Sequence, residues 1–202
     1  MWASTPASDI GSRMNALRLF LGLLVFCLVA APGSVLADEM PRDLSLKLLV
    51  KAIPFDRNFA ARATPVAKIF VVAPDSVEGA LRDANALVAS LRTLPDLGGA
   101  PVSAEVVTLS GAALRARCEA DKPAVVIVAR SLTSAAVTAL VQSLAGLPLV
   151  TAASEGEQVR QGVVLGFHIV EGRPKPLINV ASARDHGVEF ATSLLKLADV
   201  VR

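Results

Sequence analysis

The chain has no tyrosine, and its one tryptophan, Trp2, lies at the extreme N-terminus. Seven phenylalanines bring the aromatic share to 4%. Proteins that stack sugars or unpaired bases need exposed aromatic faces, so neither a carbohydrate-binding nor an RNA-binding module is expected. Histidine is nearly as scarce, with only His168 and His186, and the two cysteines are Cys27 and Cys118. A structural or catalytic zinc needs three or four nitrogen, sulfur or carboxylate ligands drawn together, so no metal is expected. There is no Gly-x-Ser-x-Gly elbow and no Gly-x-Gly-x-x-Gly or Walker loop, so neither a hydrolase nucleophile nor a phosphate cradle is present in motif form. No catalytic residue and no cofactor is therefore assigned, and an enzyme is not expected. The formal net charge of +2 over 202 residues suggests neither nucleic acid nor an acidic membrane surface as partner.

What the chain does have begins with an address. Arg13 and Arg18 form a positive region ahead of the apolar run Leu19 to Ala31, and Val35-Leu36-Ala37 fits a small-residue cleavage site before Asp38. Met14 is the expected true start. The run is shorter than the roughly 20 residues of a membrane span, and Pro32-Gly33 interrupts it, so a cleaved signal peptide over 1–37 is expected rather than an anchor. Cys27 lies inside the apolar run, which does not suit a lipoprotein. Processing would leave 38–202 as one α/β domain. It would remove Arg13, Arg18 and Asp9, leaving 18 basic and 17 acidic residues. Only Cys118 would remain, which excludes an intramolecular disulfide. Arg115 and Arg117 are placed to activate its thiol, but an inert, semi-buried thiol is the expectation, with an intermolecular bridge as the other route in an oxidising compartment.

Past the leader, strand and helix patterns alternate. Leu44, Leu48, Lys51, Phe55 and Phe59 recur near helical spacing, in a helix that Pro54 should bend or divide. Lys68 to Val72 is a short apolar run with the character of a buried parallel strand. Strands also read at Val102 to Leu109, Ala124 to Ala129 and Leu147 to Thr151. Helices read at Ser76 to Leu94, Ala112 to Ala120 and Ser131 to Leu144, with a short turn over Ser154 to Gln161. In the first of these helices Ala80, Leu81, Ala84, Leu87, Val88 and Leu91 form the inner face. Asp75 or Ser76 is the expected cap there, and Ser131 and Ser154 stand at the starts of the third helix and of the short turn. This alternation predicts right-handed crossovers and a three-layer α/β sandwich with a mostly parallel, Rossmann- or flavodoxin-like sheet.

The last forty residues close the pattern. Val163, Leu165, Phe167 and Ile169 alternate as on a strand, Glu171-Gly172 turns the chain, and Pro176 to Val180 returns. Pro174 and Pro176 cannot donate to a ladder, so this strand is placed at a sheet edge. A helical tail bearing Leu194, Leu195, Leu197, Ala198 and Val201 is expected to cover that edge. His168 falls on the face opposite Phe167, as a packed or edge residue. His186 stands near the end of a short helix, where free carbonyls are met.

The run Ile178-Asn179-Val180-Ala181-Ser182-Ala183-Arg184, then Gly187-Val188, then Ser193 to Val201, resembles the C-terminus of the YfiR family. Arg57-Asn58-Phe59-Ala60 echoes that family's aromatic-rich Tyr-Asn-Phe-Ala segment, in an Asp-Arg-Asn version carried by a subset of its members. The resemblance implies an α/β fold and a periplasmic protein that represses a membrane-bound diguanylate cyclase from outside the membrane. It also implies bracing cysteine pairs, from which this chain departs. Two readings follow. One is a non-enzymatic regulator that binds the periplasmic domain of a membrane signalling protein, with Asp56, Arg57, Asn58 and Arg62 as candidate contacts. The other is a periplasmic module that binds or senses a small molecule through the strand-end loops. A homodimer is the further partner considered. For Asp56 and Arg62 the plainer alternative is a solvated charged face.

Export is the first expectation to test. N-terminal sequencing of periplasmic protein is expected to begin at or near Asp38. Recovery in the cytoplasm with an intact N-terminus would remove the premise.

Overall fold

The computed structural model describes residues 40–108 and 110–202. The expected signal peptide over 1–37, the Met14 start and the end of the second strand at Leu109 lie outside the described residues.

The N-terminal segment is divided as Pro54 requires. Helix α1 spans Arg42–Ala52, a 3-10 turn covers Ile53–Phe55 with the proline near its start, and α2 is the single turn Phe59–Arg62. The break resets the helical phase. Ser45, Leu49, Ala52, Ile53 and Phe59 are buried, whereas Leu44 and Phe55 of the expected stripe are exposed.

Strand β1 (Ala67–Val72) follows, then α3 (Ala80–Arg92), β2 (Val102–Val107), α4 (Gly111–Asp121), β3 (Val125–Val128), α5 (Ser134–Leu144), β4 (Val150–Ala153), the short α6 (Gly156–Arg160) and β5 (Leu165–Val170). These five strands are parallel in the order β2-β1-β3-β4-β5. That is the flavodoxin-like doubly wound order, with its reversal between β1 and β3. Successive side chains on a strand face opposite ways, so β1 feeds two cores. Ile69 and Val71 join Leu49, Phe59, Val88, Leu91 and Ile127 beneath α1 and α3. Phe70 and Val72 join Leu114, Cys118, Val126, Val137 and Leu144 beneath α4 and α5. This two-sided burial is why the central strands read as unbroken apolar runs.

The helix starts differ from expectation. Helix α3 begins at Ala80 after Gly79, whose φ of +81° is a left-handed conformation that suits glycine, and no side chain caps it. Helix α5 is capped by Thr133, whose hydroxyl accepts from the Ala136 amide at 3.3 Å. Glu155 precedes α6. Ser76, Ser131 and Ser154 are therefore not caps, because each precedes its helix by more than one residue. Within α3, Ala80, Ala84, Val88 and Leu91 are buried, but Leu81 is exposed.

The C-terminal hairpin pairs β5 with β6 (Arg173–Asn179), from Leu165 opposite Ile178 to Val170 opposite Arg173. Glu171 and Gly172 both have positive φ, as a tight two-residue hairpin turn demands. The Asn179 amide donates across to Val164. By strand alternation, Pro174 and Pro176 then face away from β5, where no donor is needed. After α7 (Val180–Asp185) and the one-turn α8 (Thr192–Leu195), the expected helical tail does not continue. Asp199–Val201 forms β7, parallel to β6 alongside Leu177–Asn179. The β-branched Val200 and Val201 favour a strand, so a strand rather than a helix covers this part of the edge. β6 is therefore not the edge strand that its prolines suggested: β7 lies beyond it, and only Arg173 to Pro176 lack a β7 partner.

Ile127 lies in β3, between β1 and β4, and is 1% exposed. Ile127→Asp would bury an unpaired charge, which costs about 3–5 kcal/mol. Chemical denaturation of the variant is expected to show that loss or no folded state at all. A variant within about 1 kcal/mol of the parent would contradict the central placement of β3.

Candidate partner-binding surface

The four residues singled out in sequence sit where the N-terminal segment meets the C-terminal one. The 3-10 turn ends at Phe55, and the chain bends through Asp56, Arg57 and Asn58 before α2. Asp56 points inward, with a side chain 0% exposed. One of its oxygens, Oδ1, accepts from the amides of Asn58 at 3.2 Å and Glu189 at 2.9 Å. The other, Oδ2, pairs with the guanidinium of Arg62, itself only 9% exposed. The same guanidinium donates to the carbonyls of His186 and Gly187. The Asn58 side-chain amide donates to the Gly187 carbonyl at 3.0 Å.

Backbone bonds finish the junction. The Arg57 amide donates to Glu189 at 2.9 Å, the Ala191 amide donates to Phe55 at 2.8 Å, and Asp56 forms a β-bridge with Phe190. A buried carboxylate is tolerated only when charge and hydrogen bonds replace its water, and both are supplied here. The solvated-face reading of Asp56 and Arg62 does not hold. Phe55, 42% exposed, Arg57 and Asn58 lie at the surface of this bend, and with the Asn58 amide held by Gly187 an aromatic and an arginine are left to face outward on a pinned backbone.

The histidines stand apart from any catalytic arrangement. Half-buried His168 on β5 meets Asp199 of β7 at 2.9 Å, and Lys175 of β6 pairs with the same carboxylate. Lys175 holds that carboxyl below its usual range. This row ties three strands together and could not be read from sequence, because it depends on β7. His186 is buried, with Nδ1 2.8 Å from the Leu147 carbonyl. Burial lowers its pKa, against the opposing pull of that carbonyl. The carbonyl belongs to the distant segment before β4 rather than to its own helix.

Cys118 is a free thiol, 3% exposed. Burial, reinforced by Asp121, pushes it up to about 11. Arg115 pairs with Glu119 at 2.8 Å, and Arg117 pairs with Asp121 and Glu105. The two arginines therefore do not activate the sulfur, and its burial leaves no route to an intermolecular bridge in the folded state.

A separate cleft of about 240 Å³ opens between α1, α3 and the carboxyl ends of β3 and β4. Its lining includes Leu46, Leu87, Ile127, Ser131 and Ser154. No helix among the described residues is long and apolar enough to cross a membrane.

The fold and these sites define a doubly wound α/β protein with an antiparallel extension and no catalytic constellation among the described residues. The chain belongs to the YfiR/HmsC-like family, whose model matches residues 59–199. No curated protein matches it. Among solved structures, it is similar to an ABC domain from Streptococcus pneumonia crystallised with L-Trp, at 16% identity and TM-score 0.48, over 75% of this chain and 62% of that one. It is also similar to a conserved domain protein from Vibrio cholerae O1 biovar El Tor, at 13% identity and TM-score 0.47, over 74% of this chain and 60% of that one. The chain thus spans about three fifths of the length of either structure.

Arg62→Ala would leave the Asp56 carboxylate buried without its cation. The expected cost is about 3–5 kcal/mol, read as a lowered denaturation midpoint. A change within about 0.5 kcal/mol, the usual range of a surface substitution, would contradict the buried pair.

Proposed function

We propose that this chain is a non-enzymatic periplasmic regulator that binds the periplasmic part of a membrane signalling protein, such as a diguanylate cyclase or a kinase. Family membership supports this reading, since the YfiR resemblance implies repression of a membrane-bound cyclase from the periplasmic side. Export supplies the compartment. The near-neutral processed chain makes a purely electrostatic clamp a poor fit, so shape and local pairs are the means of recognition.

The observation that carries the proposal is the bend at Phe55 to Asn58. Interface hot spots are enriched in aromatic residues and arginine. A pinned backbone loses little further freedom on binding, which removes part of the usual ordering cost. In this reading Phe55 fills an apolar pocket on the partner and Arg57 pairs with a carboxylate. Asp56, Asn58 and Arg62 contribute by holding the bend in shape rather than by touching the partner.

The test begins with a pull-down of the tagged, processed protein from solubilised membranes, followed by affinity measurement with the captured partner's periplasmic domain. The Phe55→Ala, Arg57→Ala double variant is expected to keep its circular dichroism and thermal midpoint while losing about 2–4 kcal/mol of binding. A folded double variant with unchanged affinity would rule out this surface as the docking site.

A further inference from the structure

The cleft between α1, α3 and the carboxyl ends of β3 and β4 has the location and chemistry of a ligand site. Doubly wound sheets bind ligands outside the carboxyl ends of their strands, where the strand order reverses. Here residues Ile127 to Ser131 carry the end of β3 into the cleft, and Ser154 follows the end of β4, one strand along from the reversal between β1 and β3. Its apolar surface comes from Leu46 of α1 and Leu87 of α3, with buried Leu49 and Ile127 behind them.

The polar groups are sparse and lie near the strand ends. The Ser45 hydroxyl bonds the Arg42 carbonyl and the Ser90 hydroxyl bonds the Ala86 carbonyl, so both are engaged within their own helices. The hydroxyls of half-buried Ser131 and Ser154 make no hydrogen bond to any described residue. The charges offset one another. Two arginines and two aspartates line the cleft. Arg42 pairs with Asp83 at 2.7 Å, and Arg130 pairs with Glu155 at 2.6 Å and donates to the Met40 carbonyl at 2.9 Å. The remaining aspartate, Asp43, is exposed to solvent. Beyond it, a charged ligand would have to compete with these pairs. An uncharged one would not.

We propose that this cleft binds a small, neutral molecule with an apolar body and one hydroxyl or carbonyl group, held between Leu46 and Leu87 and hydrogen-bonded by Ser131 and Ser154. Its volume of about 240 Å³ lies below the roughly 300–1,000 Å³ of drug-sized sites, so the occupant is of metabolite size. The proposal is independent of the partner-docking reading, because none of these residues belongs to the Phe55 to Asn58 bend.

The experiment titrates the processed protein with benzyl alcohol, benzoate and benzylamine, followed by amide chemical shifts. Benzyl alcohol is expected to give saturable shifts centred on Ala129, Ser131 and Ser154, with benzoate and benzylamine at least tenfold weaker. Leu87→Trp, which fills the cleft, is expected to weaken benzyl alcohol at least tenfold. Ser131→Ala with Ser154→Ala leaves the apolar walls intact. It is expected to weaken benzyl alcohol severalfold while toluene, which lacks the hydroxyl, binds as it does to the parent. Absence of saturable binding, shifts centred on another surface, or equal binding of the charged analogues would overturn the proposal. So would full affinity in a folded Leu87→Trp variant.

Discussion

The structure depends on one buried carboxylate. Asp56 has no exposed side-chain surface, yet it accepts two backbone amides and a guanidinium. Removing a charge from water costs several kcal/mol even after relaxation, so the site holds only while all three donors are in place. Two of them, Asn58 and Arg62, are local. The third, the Glu189 amide, lies 133 residues away in sequence. The need to satisfy one oxygen therefore fastens the entry of the fold to its exit, and Arg62 doubles the link by reaching the His186 and Gly187 carbonyls. Gly187 has φ +61°, and a Cβ there would stand 3.7 Å from the Arg62 guanidinium. Backbone conformation favours glycine at that position more strongly than space does.

This junction gives α1 its role. The helix, one wall of the strand-end cleft, runs into the bend, and the bend itself presents Phe55 and Arg57 to solvent. The parallel sheet is a rigid base for both, since β1 and β3 are buried on both faces. The C-terminal strands extend that base on the other side, where Asp199 joins His168 and Lys175 across three strands.

Much of the fold was legible in sequence because its central strands and crossover helices carry strong periodic signals. The run Val125-Val126-Ile127-Val128 admits little besides a doubly covered strand, and Pro54 divides its helix as proline chemistry requires. The features that escaped are those fixed by tertiary contact. β7 is three residues long and preceded by a leucine-rich turn of helix, so its pattern reads as helical until β6 offers a partner. The serine caps failed because glycine and threonine a few residues later start the helices instead. At the candidate site, the residue types were visible but their directions were not. An Asp-Arg-Asn turn looks solvated in sequence. Only the Glu189 and Gly187 backbone groups turn Asp56 and Asn58 to structural use, and they leave Arg57 outside.

The central claim is that the bend at Phe55 to Asn58 is fixed by the C-terminal segment rather than resting against it. Native-state hydrogen exchange at the Arg57, Glu189 and Ala191 amides tests this most directly, since each donates across the junction. If the junction is integral to the fold, these amides open only with the sheet, and their exchange free energies approach that of global unfolding. Exchange at the rate of a fraying terminus, with the β1 and β3 amides still fully protected, would contradict the account.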